Sequence, residues 1–299
     1  MAKEIENANK PKIQLVRKRY KGILMMENEI EEIEKMDTKD DDIWVCSYPR
    51  SGTTLTQEMV YLVQTLDFKT ANSVQLDQRF PIIDLKDDRY PYYKGIKGIE
   101  QMESPRMIKT HFHHFLLPEQ LQKGKGRIIY IARNPKDVVT SFFRLMQWGN
   151  ELVEGDKTFD LFVDGFIKGT ELLCPWTRHV LGYWEKRNDS NVLFLKYEEE
   201  VRDKPAAIRR IADFLGRKLT EDDVARIADH CHVDNMRNNP TVNGLYWTEF
   251  KKMNFECEGR FINKGVPGTW REVLKPEQSS KIDEMIREVA KSGLIIEQT

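Results

Sequence analysis

Cysteine is scarce and unpatterned in this chain. The four in its 299 residues, Cys46, Cys174, Cys231 and Cys257, make no CxxC pair and no regular framework. That argues against a disulfide scaffold and a cysteine-built zinc module, and it suits a reducing compartment. Long apolar runs are missing too. The first stretch, MAKEIENANKPKIQLVRKRYKG, is polar and the GILMM after it is short, so neither a signal peptide nor a spanning helix is expected. An excess of one charge is absent: 47 Lys and Arg stand against 48 Asp and Glu, a net charge of -1. Neither nucleic acid nor an anionic membrane is attracted globally, so any anionic ligand must be held by a local basic pocket. No repeat, low-complexity tract or linker breaks the chain, and the expectation is a cytoplasmic protein. The charged runs at Lys39 to Asp42 and Lys86 to Arg89 read as solvated turns.

What is present is ordinary globular composition, 40% hydrophobic and 32% charged, with length for a large core. Ile43 to Tyr48 (IWVCSY) is β-branched and aromatic, follows acidic turn residues and precedes Pro49, so it reads as a buried strand. Leu55, Met59, Leu62, Val63 and Leu66 then recur at helical spacing. Arg127 to Ala132 (RIIYIA) repeats the theme, followed by Pro135 and an amphipathic stretch with Val138, Phe142 and Leu145. A third strand is expected at Val192 to Lys196, then a helix with Ile208, Ile211, Ala212 and Leu215 ending at Gly216. A last helix should start at Pro276 and end by Gly293. The fold class is therefore α/β: one domain over 1–299, a central parallel sheet flanked by helices, and residues 1–40 as an N-terminal extension packing on it. Ligands of such sheets bind beyond the C-terminal strand ends, which directs attention to the loops after Tyr48, Lys109 and Ala132.

The loop YPRSGTTL, Tyr48 to Leu55, holds the parts of an anion cradle: Arg50 for charge, Ser51, Thr53 and Thr54 for hydroxyls, Gly52 for close backbone approach, and a helix N-terminus. A plain strand-to-helix turn with hydroxyl caps is the other reading of the loop alone. The nucleotide-hydrolase consensus GxxxxGK[ST] is not met, since Ser47 stands five residues before Gly52 and Thr53 follows it. That disfavours an ordinary ATP or GTP site and a small-molecule kinase.

YPRSGTT resembles the YPKSGTTW loop of cytosolic sulfotransferases. Further segments follow in that family's order: SPRMIKTHF resembles its LKTH segment, IYIARNPKDVVTSFF its nucleotide-binding segment, VLFLKYEEE its VLYLxYEDM segment, and NNPTVN and RFINKGVPGTW its NPxTN and RKGxxGDW segments. Six ordered matches spanning Ile43 to Trp270 make the resemblance specific. It implies a P-loop-like strand-loop-helix site, use of 3′-phosphoadenosine 5′-phosphosulfate (PAPS) with product 3′-phosphoadenosine 5′-phosphate (PAP), no metal, and a small hydroxyl- or amine-bearing acceptor.

Carried over residue by residue, the resemblance implies His111 as general base, with Lys109, Arg50 and Ser141 completing the catalytic set. It implies donor binding by Arg50, Ser51, Gly52, Thr53, Thr54, Leu55, Arg133, Ser141, Tyr197, Asn263, Lys264 and Gly265. Imidazole suits a base near neutrality, although a lone histidine at a strand end is more often structural. His113 and His114 have no cysteine or carboxylate at ligand spacing to make a metal site. Four departures bear on the donor: Arg50 replaces lysine, Leu55 a tryptophan, Val233 a phenylalanine, and Asn263 the arginine of the RKG segment. The last three leave open a second class, a donor-deficient relative acting as a binding or regulatory protein. The family's KxxxTVxxxE dimer segment is absent at REVLKPEQSS, leaving a monomer or a different homodimer. The acceptor pocket is expected in the loops 67–98, 148–158 and 238–258, whose Phe80, Tyr90, Tyr92, Tyr93, Met146, Trp148, Tyr246 and Trp247 suggest an aromatic or apolar acceptor or else core packing. Phenols, catecholamines, steroids and other alcohols stay open, as does dehydration through an unstable sulfate ester.

Overall fold

Two adjacent parallel strands set the frame in the computed structural model, which describes residues 16–87, 90, 92–148, 158–245 and 261–298. An N-terminal hairpin pairs β1 (Arg17–Tyr20) with β2 (Ile23–Met26). The central sheet contains β3 (Ile43–Ser47), β4 (Met107–Thr110), β5 (Arg127–Ala132) and β6 (Val192–Lys196), ordered β4-β3-β5-β6 and parallel throughout. Successive side chains alternate between faces, as pleating requires. Trp44, Cys46, Ile128, Tyr130 and Phe194 join one apolar layer, while Ile43, Val45, Ile129, Ile131 and Leu195 join the other. Both faces are covered, which is why these strands read as continuous apolar runs.

The first layer packs helices 135–148, 159–168, 176–184 and 276–290, and the second packs helices 53–65, 204–215 and 221–230. The expected strands after Asp42, Gly126 and Asn191 occur, the first ending at Ser47 so that Tyr48 opens the loop. The helix Lys204–Leu215 is capped by Asp203 at Ala206 N and ends on Gly216, φ 66°. The last helix runs Pro276–Ala290, and Gly293 lies in the following turn at φ 84°. Among the described residues no helix is long and apolar enough to cross a membrane.

The hairpin was not legible in the residues flanking KGILMM. Lys21 and Gly22 both adopt positive φ, 47° and 85°, the backbone of a tight two-residue hairpin turn. Ile23, Met25, Ile30, Ile33 and Met36 enter the first core layer, and Leu173 N donates to Leu24 O at 2.7 Å.

Lys39 to Asp42 is a turn with Asp40 and Asp41 exposed, as expected, but its last carboxylate, Asp42, is buried. β3 and β4 start in register, Ile43 beside Met107, so the residues before them, Asp42 and Arg106, stand side by side at the lower edge of the sheet. Arg106 donates from Nε and Nη2 to the two carboxylate oxygens at 2.7 and 2.5 Å, with both side chains almost fully buried. Lys39 N donates to the same carboxylate at 2.8 Å. In the second charged run, Asp87 is buried and Lys86 pairs with Glu29 at 2.9 Å, so neither is a free solvated charge; 88 and 89 lie outside the described residues.

Candidate active site

The upper ends of all four strands open on one cleft, lined among others by Arg50, Gly52, Thr53, Thr54, Leu55, Lys109, His111, Arg133, Ser141, Tyr197, Asn263, Lys264 and Gly265. Ser51 is buried beside it. The sequence-expected residues are therefore brought together from segments more than 200 positions apart in the chain, by the parallel topology.

The β3 loop turns through two left-handed residues, Arg50 at φ 70° and Gly52 at φ 106°. Inside it, Ser47 Oγ and Thr53 Oγ1 share a hydrogen bond of 2.6 Å. Gly52 is the N-cap of the helix Thr53–Thr65, and no side chain caps that end. The positive end of a 13-residue helix thus meets the cleft. Gly52 is required sterically as well: a Cβ there would lie 2.4 Å from the Tyr197 ring. Arg133 stacks over the other side of that pocket corner, its guanidinium 4.3 Å from the Tyr197 ring centroid and its Nη1 donating to Arg50 O at 3.0 Å.

His111 follows β4 two residues after Lys109, so both fall on the same side of the extended chain. Nδ1 of His111 lies 2.8 Å from the carbonyl oxygen of Ser47. A carbonyl can only accept, so Nδ1 carries the proton and Nε2 keeps its lone pair. Asp84 accepts from the His111 amide and the Thr110 hydroxyl, and His179 Nε2 donates to His111 O at 3.0 Å while Tyr130 OH donates to His179 Nδ1 at 2.9 Å. The backbone of the histidine is held from both sides. Burial, then the charge of Lys109, pull its pKa down to about 3, with Arg50 adding to the effect and the Ser47 bond opposing it. The imidazole is neutral at physiological pH. His113 and His114 serve packing: His113 Nε2 donates to Leu173 O at 2.9 Å, and His114 sits edge-on to Tyr183.

Arg50 does not extend toward His111. Its Nε donates to Ser141 Oγ at 3.0 Å and its Nη2 to Phe261 O at 2.8 Å, tying the loop to the helix Pro135–Trp148 and to the 261–269 segment. Burial first, and the charge of Arg133 second, lower its pKa to about 10. Asp137 anchors the same wall by accepting from Gly268 N, Thr269 Oγ1 and Trp270 N at 2.7, 3.1 and 3.2 Å. Lys264 reaches the rim but pairs with Glu272 at 3.0 Å, and Asn263 is exposed.

Two buried polar atoms here have no hydrogen-bond partner, Ser51 Oγ and Arg133 Nε. Orphaned donors beside an uncapped helix end are suited to an anion with several oxygens. One wall of the cleft is apolar: Leu55, Val201, Cys231, Val233 and Met236 line it, and Val233 packs so closely on Gly265 that a Cβ there would approach it to 2.6 Å. Sequence reasoning missed Arg144, Lys204, Cys231, Met236 and Phe261. Arg144 was findable, being three residues after Ser141 on one helix face.

Of the residues weighed for an acceptor pocket or for core packing, Phe80, Tyr90 and Met146 are buried in the protein interior. Tyr92 and Tyr93 are half-buried and do not line this cleft; Tyr246, Trp247 and the Trp148 side chain lie outside the described residues.

The family model described as "Sulfotransferase domain" matches residues 40–293. The chain is 36% identical to the luciferin sulfotransferase of Photinus pyralis over 274 residues, 85% of this chain and 73% of that protein. Its structure is similar to retinol dehydratase in complex with retinol and PAP, with TM-score 0.81, 29% identity, and coverage of 91% of this chain and 88% of that one. The androsterone and PAP complex of retinol dehydratase gives TM-score 0.82 at 29% identity, over 93% and 90%.

Proposed function

This chain belongs to the sulfotransferase family and is an enzyme that moves a sulfuryl group from PAPS to small acceptors, and we propose that His111 is its general base and that the acceptor is a small aromatic or apolar hydroxyl or amine compound met in the cytoplasm. PAPS supplies an activated sulfuryl group whose leaving group is a phosphate. The cleft suits it: the orphaned Ser51 Oγ and Arg133 Nε, the bare helix end and the space kept by Gly52 are features a phosphorylated ligand would use.

The observation that carries the base assignment is the Nδ1–H···O=C bond to Ser47, which fixes the tautomer with Nε2 unprotonated. His111 Nε2 takes the acceptor proton as the acceptor oxygen or nitrogen attacks sulfur and the sulfur–oxygen bond to phosphate breaks. Lys109 and Arg50 neutralise charge on the sulfuryl oxygens and the departing phosphate. Arg50 acts as a fixed guanidinium that holds charge rather than a proton donor. Burial is the larger cause of the His111 depression and persists with a ligand bound; an anion beside Lys109 and Arg50 would offset only the smaller part that comes from their charge.

A panel of phenols, steroid and primary alcohols, and amines incubated with radiolabelled donor tests the acceptor assignment. Transfer to at least one aromatic or apolar member is expected; transfer confined to sugars and other polar polyols would contradict it. The likeness to retinol dehydratase favours a second outcome at the same site, in which an activated alcohol is sulfated and the ester then loses hydrogen sulfate to leave an alkene. Product analysis separates the two.

The apolar adenine wall has its own test. Aromatic stacking on a base is worth about 1–3 kcal/mol, and Leu55 supplies none. Leu55→Trp should tighten PAP binding about tenfold by calorimetry. Unchanged or weaker binding would mean that adenine does not lie against position 55.

A further inference from the structure

Three arginines converge on this cleft without an acidic partner among the described residues. Arg50 and Arg133 are accounted for by the loop and by Tyr197. Arg144 is the third: it lines the cleft, makes no ion pair with any described carboxylate, and lies near enough to Arg50 for its charge to be felt there. Its place on the helix explains how it reaches. Side chains of helical residues lean toward the N-terminus, so Arg144 overlies Ser141 one turn back, and Ser141 is the residue that Arg50 Nε contacts at 3.0 Å. A cationic group set beside a serine hydroxyl at the mouth of a basic cleft stands unneutralised, and like charges gathered this way repel unless an anion joins them.

The 261–265 segment brings little charge of its own to the cleft. Asn263 is exposed there, and Lys264 is turned to Glu272 at 3.0 Å. The 261–265 segment therefore contributes a carbonyl to Arg50 and, as its one cation, a lysine shared with the exposed Glu272.

We infer that Arg144 is a specificity-determining residue for the donor, clamping the ribose 3′-phosphate together with Ser141 and Arg133 and supplying the charge that Asn263 does not. This rests on the donor-binding reading above. It gives the helix wall of the cleft a cation of its own, one turn beyond Ser141.

Calorimetry with two nucleotides isolates that group: PAP carries the 3′-phosphate and adenosine 5′-phosphosulfate does not. Arg144→Gln should weaken PAP about tenfold, the loss of one charge-assisted contact, and leave adenosine 5′-phosphosulfate within about twofold. KM for PAPS should rise with kcat little changed, Arg144→Lys should recover part of the loss, and Asn263→Arg added to Arg144→Gln should restore PAP affinity. Equal weakening of both nucleotides, or of neither, overturns the assignment. A wild-type protein that binds PAP no better than adenosine 5′-phosphosulfate would instead remove the reading of the cleft on which the assignment depends. Unchanged thermal midpoints in the variants exclude misfolding as the cause.

Discussion

His111→Ala lowers kcat by about 10²- to 10⁴-fold while the Kd for PAP stays within about threefold, because a base acts in the transition state and not on the bound product. The imidazole contributes Nε2 to the reaction and Nδ1 to the Ser47 carbonyl. Alanine removes both, and His111→Gln refines the test: the amide can keep the bond to Ser47 but cannot take the acceptor proton. Both variants should be similarly slow in single-turnover transfer. A glutamine variant near wild-type rate would show that the side chain positions the loop and that another group accepts the proton. Because burial, and then the charge of Lys109, hold the imidazole at a pKa of about 3, neutral His111 is present throughout the neutral range. The folded value lies below the free one, so protonation is more costly folded than unfolded, and stability from this group is lost as pH falls below the ordinary histidine range.

Arg106→Ala costs about 3–5 kcal/mol of unfolding free energy, the penalty for stranding a buried charge. Asp42 would keep the bond from Lys39 N but lose two charge-assisted bonds at the start of β3. Urea unfolding measures it. The double variant Arg106→Met, Asp42→Leu should recover most of the loss, since replacing both partners removes the uncompensated charge. A single variant within about 0.5 kcal/mol of wild type, the range of ordinary surface substitutions, would mean the pair is exchanged with solvent.

That same pair marks where sequence reasoning stops. KDDD looks like any acidic turn, and only the shared register of Ile43 and Met107 reveals that Asp42 meets an arginine 64 positions later. The parallel core was legible because strands buried on both faces read as unbroken runs such as RIIYIA, and because Gly216 and Pro276 punctuate their helices. The hairpin was not, since its strands are four residues each and one of them, RKRY, is polar. At the cleft, the loop chemistry of Tyr48 to Leu55 and the order of the motifs pointed to the residues now found together. What could not be read was orientation: Arg50 turned to Ser141 and Phe261, Lys264 turned to Glu272, and the tautomer of His111 depend on contacts between distant segments. The aromatic residues were left between two readings, because ring content alone does not separate a binding wall from core, and Phe80 and Tyr90 are buried in the core.

The most direct measurement on the cleft is titration calorimetry of the purified protein with PAP, with ATP as the control. Binding in the micromolar range or tighter, at least about tenfold stronger than ATP, is the expected result: a 3′-phosphate between Arg133, Ser141 and Arg144 and a 5′-phosphate over Gly52. No detectable PAP binding by folded protein, or binding no stronger than that of ATP, would contradict the account.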